Sequence, residues 1–138
     1  DRFSYLFNNL PDAVAETEFV EEDAVIRSVN PAFAEVFGTD DAVLGSALND
    51  AVVPPAHSDE RETDRLADQG TAGDPVQSEL RRRTADGYRD FLFRGIPYRR
   101  DDGRLWSFGI YTDITEQKER QQELKEFETI IESLTDAV

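Results

Sequence analysis

The sequence predicts one α+β domain, built from a two-stranded hairpin, short helices and a three-stranded antiparallel meander. An amphipathic helix precedes this domain and a long linker helix follows it. The chain has 138 residues, enough for one hydrophobic core but too few for two. Strand-like and helix-like segments occur in that order. The dipeptides Asp86-Gly87 and Asp102-Gly103 separate the last three strand-like segments, as tight hairpins require.

The first part of the chain predicts a helix, a hairpin and a second helix. Apolar residues at i, i+3, i+4 and i+7 predict an amphipathic helix that ends at Pro11. Those residues are Phe3, Leu6, Phe7 and Leu10. Two strand-like runs, 13–19 and 24–29, flank an acidic turn. Asn30 before a proline then predicts a helix N-cap, and Gly38 predicts the end of that helix.

The middle of the chain predicts three further helical segments and the meander. Residues 40–44 and 49–53 are candidates for one-turn helices, and 58–69 for a polar surface helix. The strand-like segments of the meander are 76–84, 88–98 and 104–113.

The last segment predicts a long helix from Ile114 onward, with Asp113 or Thr115 as its cap. Its apolar residues recur three and four positions apart, as in the seam of a coiled coil. They are Leu124, Phe127, Ile131, Leu134 and Val138. Such a helix either pairs with another helix or folds back on its own domain, and in both cases its role is mechanical.

An internal repeat links the two ends of the sequence. The pattern Phe3-x-x-Leu6-Phe7-x-x-Leu10-x-Asp12-Ala13-Val14 recurs as Phe127-x-x-Ile130-Ile131-x-x-Leu134-x-Asp136-Ala137-Val138. The phenylalanine, the second leucine and the Asp-Ala-Val triplet are identical. A repeat of this length after a whole domain predicts tandem modules in a longer protein, joined by the connecting helix.

The charge of the chain bounds its partners. Thirty acidic and 15 basic residues give a formal charge of −15. This charge repels phosphate backbones and anionic head groups, so we expect neither nucleic acid nor a membrane surface as a partner. The acid is spread along the chain, which favours adaptation to high salt over an acidic interaction segment. Because no segment has the pattern of a signal or a membrane span, we expect a cytoplasmic domain.

The residue types that the sequence lacks bound its chemistry. The chain has no Cys, which excludes disulfides, thiolate metal sites and cysteine nucleophiles. The only imidazole is His57, and no Ser-His-acid arrangement with a spacing signature can be assembled around it. No Gly-rich phosphate loop is present. We therefore expect a non-catalytic domain without a metal.

Six short motifs occur in a fixed order. They are Asn30-Pro31-Ala32-Phe33 through Phe37-Gly38, Leu44-Gly45, Val53-Pro54-Pro55, Arg82-Arg83-x-x-Asp86-Gly87, Pro97 before Asp102-Gly103, and Gly109-Ile110-x-x-Asp113-Ile114-Thr115-Glu116. In this order they resemble the PAS domain family. The resemblance implies a five-stranded antiparallel sheet with short helices on one face. It divides the chain into an N-terminal amphipathic helix (1–11), a PAS domain (12–115) and a signalling helix (116–138) that runs into the start of a second PAS-like repeat.

The resemblance also implies a sensory role. Domains of this family bind a ligand or cofactor between sheet and helices and pass its state along the last helix to downstream domains. Flavin photosensors that form a cysteinyl adduct are excluded because there is no Cys, and a haem sensor is disfavoured because His57 lies in a loop. A small aromatic or carboxylate ligand is the remaining expectation. The expected effector is a histidine kinase or an HTR-like transducer of a haloarchaeon.

Strand alternation, anchored by the resemblance, predicts the side chains that line the ligand site. They are Thr17, Phe33, Phe37, Ser78, Leu80, Arg82, Phe91, Phe93, Ser107 and Tyr111. Arg82 would bind a ligand carboxylate. The alternative is that the phenylalanines are simply core, that Arg82 reaches an acid at the rim, and that the domain is a ligand-free dimerisation and relay module.

The opposite face of the sheet carries too much apolar surface to be left in water. We expect the first helix, from the same chain or from a dimer partner, to cover it, and we expect a homodimer. The predicted interface residues are Phe3, Leu6, Phe7, Leu10, Trp106, Phe108 and Ile110. Asp113 and Thr115 are predicted to relay the signal into the last helix.

Overall fold

We determined the fold from a computed structural model, which describes residues 2–21, 23–39, 41–51 and 73–136. The predicted helix at 58–69, His57 and the Val53-Pro54-Pro55 motif lie outside the described residues. The helices are α1 (Arg2–Asn9), α2 (Pro31–Phe37), α3 (Leu48–Ala51) and α4 (Thr115–Asp136), with a 3-10 turn at Asp41–Val43. The strands are β1 (Ala13–Val20), β2 (Asp23–Val29), β3 (Val76–Thr84), β4 (Gly87–Arg99) and β5 (Leu105–Asp113).

All five strands form one antiparallel sheet in the order β2-β1-β5-β4-β3. The hairpin and the meander are therefore joined by the pairing of β1 with β5, which is the central strand of the sheet. This architecture confirms the predicted fold class, and the strand bounds lie within about one residue of those predicted. The turn glycines Gly87 and Gly103 have φ of 95° and 82°, the left-handed region that favours glycine.

The two faces of the sheet differ in what covers them. The inner face carries the hydrophobic core, against which α2 and α3 pack through Phe33 and Leu48. The outer face lies under α1, where the ring centroids of Phe3 and Phe108 are 5.8 Å apart. α1 of the same chain is therefore a lid on this face, while a contribution from a dimer partner stays a prediction.

Asn30 joins the helical layer to the centre of the sheet. Its buried side chain accepts hydrogen bonds from the backbone N–H groups of Val14 and Phe33, both at 2.9 Å. Its Nδ2 donates to the carbonyl oxygen of Asp12 at 2.9 Å. The N-cap role was predicted from the sequence. The hydrogen bonds of Asn30 with Val14 of β1 and with Asp12 were not predicted, because they depend on tertiary contact.

We predict that Asn30→Ala lowers the free energy of unfolding by about 3 kcal/mol, because it leaves two buried N–H groups without an acceptor and removes the helix cap. Urea unfolding at neutral pH measures this. The matched control, Asn8→Ala on the exposed side of α1, is expected to change it by less than about 0.5 kcal/mol. Equal stabilities for the two variants would contradict the anchoring role of Asn30.

Candidate ligand pocket and signalling junction

The ring of Tyr111 is the centre of an aromatic cluster on the inner face. Ring centroids lie 4.9 Å from it in Phe93, 5.3 Å in Phe37, 5.8 Å in Phe91 and 6.3 Å in Phe33. β4 supplies two of these rings and α2 supplies two that are one helical turn apart. Most of the contacts are edge-to-face, the favourable arrangement for aromatic pairs. Burial raises the pKa of the Tyr111 hydroxyl, which therefore stays protonated at neutral pH.

A pair of glycines lies in the sheet beneath this cluster. Gly95 and Gly109 face each other across β4 and β5. A Cβ at Gly95 would lie 2.7 Å from Cγ2 of Val76, and one at Gly109 would lie 3.2 Å from Cε1 of Phe93. The Phe93 ring thus occupies space that a side chain at Gly109 would take. A glycine inside a strand was the sequence signal that could have indicated this close approach.

Arg82 is the one charged side chain among the predicted ligand-lining residues. It lies on the inner face of β3 with 4% of its surface exposed. Its Nη1 donates to the carbonyl oxygen of Arg81 at 2.9 Å, and none of the described carboxylates lies within ion-pair distance of it. Desolvation lowers the pKa of Arg82, but a guanidinium remains charged at neutral pH. The alternative that Arg82 reaches an acid at the rim is not seen in the described residues.

The other polar residues of the predicted site bond within the sheet. The Thr17 hydroxyl donates to the carbonyl oxygen of Ser107 at 3.2 Å, and these two residues are register partners on β1 and β5. Ser107 and Leu80 are buried, and Ser78 is half-buried. All ten predicted residues therefore lie on the inner face or on α2. Phe33, Leu80, Phe91, Phe93 and Tyr111 belong to the hydrophobic core and Phe37 packs against it. The binding of a ligand by the ten residues stays a prediction.

The predicted interface residues lie together on the outer face and on α1. Phe7 is 8% exposed within its own chain, whereas Leu6 and Leu10 are 62% and 42% exposed. Phe3 stacks on Phe7 with centroids 5.7 Å apart. Trp106, Phe108 and Ile110 of β5 are half-buried. The lid therefore covers this face only in part and presents a fresh apolar surface of its own.

A charged network that the sequence analysis missed lies beside this apolar patch. Glu18 is buried and accepts hydrogen bonds from Arg27 at 2.9 Å and from Arg104 at 3.1 Å. The hydrogen bond from Arg27 is the main reason that the pKa of Glu18 is lowered. The alternation that turns Thr17 inward turns its two glutamate neighbours outward, toward the arginines. That alternation was the signal that could have revealed the network.

The second glutamate of this network is Glu16. It accepts a hydrogen bond from the Tyr98 hydroxyl at 2.6 Å and one from Arg100 at 3.3 Å. Burial, followed by the bond to Glu16, raises the pKa of Tyr98 to about 12. The Arg100 guanidinium lies 3.5 Å from the centroid of the Trp106 ring, a cation–π contact.

Asp113 and Thr115 form the junction between the sheet and α4. The Asp113 carboxylate accepts hydrogen bonds from the Thr115 N–H at 2.9 Å and from Nε of Arg89 at 2.5 Å. The Thr115 hydroxyl accepts from the Asp90 N–H at 2.8 Å, and the Ile114 N–H donates to the Asp90 carbonyl oxygen at 2.8 Å. Asp113 therefore caps the start of α4, whereas Thr115 fastens that start to β4.

Electrostatics set the protonation state of this junction. Burial raises the pKa of Asp113, but hydrogen bonds from Thr115 and Arg89 outweigh it, so that the net pKa is lowered. One turn into α4, Nζ of Lys118 bonds Glu79 of β3 at 2.8 Å, which raises the pKa of Lys118. From residue 119 to residue 136 every side chain of α4 is exposed. The helix thus leaves its own domain and does not fold back on it.

Metal binding and membrane crossing are two other functions for which the described residues offer no site. Among the described residues, no three acidic or histidine side chains are grouped so as to hold a metal ion. None of the described helices is both long enough and apolar enough to cross a bilayer.

Comparison with known proteins identifies the family. A family model described as PAS fold matches residues 7–119, which is most of the chain. The chain belongs to the PAS-fold family. PAS domains are in general non-catalytic sensory modules of signalling proteins, and this chain is a sensory domain of that type. No curated protein matches the chain in sequence.

Solved structures show the same fold at low sequence identity. An RNA-binding light-oxygen-voltage receptor superposes with a TM-score of 0.78 and 24% identity over 96% of this chain, which spans only 37% of that receptor. The PAS domain of an HTR-like protein from Haloarcula marismortui superposes with a TM-score of 0.64 and 21% identity, covering 82% of this chain and 89% of that one. A PAS domain from Colwellia psychrerythraea superposes with a TM-score of 0.66 and 17% identity, covering 83% of this chain and 96% of that one.

We predict that Asp113→Asn is less stable than the parent chain by about 1 kcal/mol at neutral pH, with faster amide exchange at Thr115. Because the folded pKa of Asp113 is lowered, its stabilisation is complete above the unfolded value of about 3.9 and is lost as the pH falls through the folded value. The two stabilities should therefore converge in acid. Thermal unfolding between about pH 2 and 7 tests this, with Asp101→Asn in an exposed turn as control. A difference that is constant with pH would show that Asp113 acts only through its shape.

Proposed function

We propose that this PAS domain binds a small aromatic carboxylate on the inner face of its sheet and relays binding through α4 to an effector in the same polypeptide. The observation that carries the proposal is Arg82, a guanidinium that is buried beside an aromatic cluster and has no described carboxylate partner. A buried charge without a compensating group is costly, and the carboxylate of a ligand would compensate it. Guanidinium groups bind carboxylates in a bidentate manner.

The shape of the inner face supports an aromatic ligand. Tyr111 and the four phenylalanines around it offer ring faces and edges to a second ring. The Tyr111 hydroxyl is protonated and can donate a hydrogen bond, and its pKa is influenced by the charge of Arg82. The glycine pair beneath Phe93 gives that ring a flat support. A ring entering the cluster would displace Phe93 or Phe91, both on β4.

The path to α4 is short. Tyr111 and Asp113 are two residues apart on β5, and Phe91 is next to Asp90 on β4. Asp90 holds Ile114 and Thr115, the first residues of the junction. A shift of either ring therefore moves a strand end to which α4 is bonded. We propose that Asp113 and Thr115 relay the signal in this way to a histidine kinase or an HTR-like transducer.

The setting of the domain is also proposed. The spread acidic charge favours a halophilic, archaeal source, and the similar PAS domain of the HTR-like protein from Haloarcula marismortui has the same fold. We propose that the domain lies in the cytoplasm. Because its charge of −15 repels phosphate groups, we also propose that it contacts neither a membrane surface nor nucleic acid. Because an RNA-binding receptor has the same fold, the proposal that this domain does not contact nucleic acid rests on its charge alone.

A ligand-free relay and dimerisation module is the second candidate, and the dense packing of the inner rings favours it. In that case the aromatic cluster only transmits strain. Both candidates share a homodimer through α1 and the outer face, as the fungal photoreceptor Vivid forms a dimer in its light state. Neither candidate gives the domain a catalytic step.

The ligand proposal predicts that benzoate or phenylacetate raises the thermal midpoint of the domain, while the neutral isostere benzamide does not. At a concentration of about 100 times Kd the stabilisation is about 2.7 kcal/mol. Arg82→Met should abolish the effect. Because Met removes a buried charge that has no carboxylate partner among the described residues, the variant without ligand should be at least as stable as the parent.

Arg81→Met is the matched control. Arg81 is the neighbour of Arg82 in β3 but lies on the opposite, exposed face, so its substitution should leave the ligand response intact. Differential scanning fluorimetry and native mass spectrometry give the readout. If neither acid shifts the midpoint and no small molecule is retained, the domain is the ligand-free module.

The dimer proposal predicts that Leu6→Glu combined with Leu10→Glu converts dimers to monomers without loss of stability, because both side chains are exposed within one chain. Sedimentation velocity measures the change. Asn9→Glu, a polar site of the same helix, is the control. A wild-type chain that sediments as a monomer, or a double variant that stays dimeric, would rule out this interface.

A further inference from the structure

The exposed end of α4 repeats the sequence of α1. Phe127, Ile130, Ile131 and Leu134 stand at the positions of Phe3, Leu6, Phe7 and Leu10, and an Asp-Ala-Val triplet follows both. The question that the repeat raises is whether the second copy has the role of the first. The structure of the first copy defines that role residue by residue.

In the first copy two of the four apolar residues, Phe3 and Phe7, pack toward the domain that follows. Phe7 is the member that is buried, and Phe3 connects it to Phe108 on the outer face. The triplet then starts β1: Asp12 accepts a hydrogen bond from the Thr112 hydroxyl at 2.9 Å, and the Val14 N–H donates to Asn30. Phe3, Asp12 and Val14 of the first copy thus have partners in the domain that follows, whereas Leu6 and Leu10 stay exposed.

In the second copy the same positions lack such partners among the described residues. Ile131, the counterpart of Phe7, is 46% exposed, whereas Phe7 is 8% exposed. Phe127 and Leu134 are exposed as well. Four apolar side chains on one exposed helix face require a cover.

A coiled coil with a second copy of α4 is opposed by charge. In a parallel pair with Leu124 and Ile131 in the seam, Glu123 of one helix faces Glu128 of the other, which is a like-charge pair. The earlier seam positions hold Gln117 and Arg120, which are polar. The apolar part of the seam is therefore short, and the two glutamates beside it repel each other.

We propose that Phe127, Ile131 and Leu134 form the lid of a second PAS-type sheet in the same polypeptide, so that α4 ends one domain and begins the next. The occupant of this face is the outer face of that sheet, with an apolar ring at the position that Phe108 has here. This interaction surface goes beyond the proposed sensory function and does not depend on the ligand.

The shared helix has a mechanical consequence. α4 runs without a break from Thr115 to Asp136, and the 12 steps between Thr115 and Phe127 span about 18 Å at the rise of an α-helix. A change at the Asp113 junction would thus move the lid of the second sheet directly, with no flexible linker between them.

The test compares three variants of the full-length polypeptide by urea unfolding and sedimentation. Ile131→Glu should lower the unfolding midpoint of the second domain and leave that of the first unchanged. Phe7→Glu should have the reverse pattern. Leu124→Glu, on the same face of α4 but outside the repeat, should leave both midpoints and the molar mass unchanged.

Two results would overturn the proposal. In one, Ile131→Glu and Leu124→Glu both dissociate a dimer and leave both midpoints unchanged, which is the behaviour of a coiled-coil seam. In the other, the polypeptide has no Asn-Pro cap after Val138 at about the spacing that separates Val14 from Asn30, and it unfolds in one transition that Ile131→Glu does not shift. Failure of ligand binding at Arg82 would leave all these outcomes unaffected.

Discussion

The pairing of β1 with β5 is the constraint on which the rest of this structure depends. It joins a hairpin and a meander that are far apart in sequence, and it places β5 at the centre of the sheet, between β1 and β4. Its energetic cost is the closure of a long loop, which needs specific contacts in return. The hydrogen bonds from Thr112 to Asp12 and from Thr17 to Ser107 are two such contacts. Core, lid and junction all follow from that one pairing.

Most of the fold could be predicted from the sequence because its signals are local. Turn dipeptides such as Asp86-Gly87 set the hairpins, and period-two alternation assigned the inner faces of β3, β4 and β5 once one position was anchored. The candidate site was less accessible. The burial of Arg82, the burial of Glu18 between two arginines and the second role of Asn30 all depend on which strands become neighbours. Only the three-dimensional pairing creates those contacts.

The inner face combines two demands that oppose each other. Close packing of rings around Tyr111 stabilises the domain, whereas a site for an aromatic ligand needs one of those rings to yield. Phe93 is the ring best placed to do so, because two glycines, which have no Cβ, lie beneath it. That property suits a domain whose output is a change of shape.

The single tryptophan of the chain lies on the outer face, beneath the guanidinium of Arg100, and its indole N–H finds no hydrogen-bond partner among the described residues. Indole emission depends strongly on nearby charge and on water. All of the tryptophan fluorescence of the molecule therefore originates at one place, next to the α1 lid and the charged network. The chain carries an intrinsic optical reporter of its outer face, and events there can be followed without any added label.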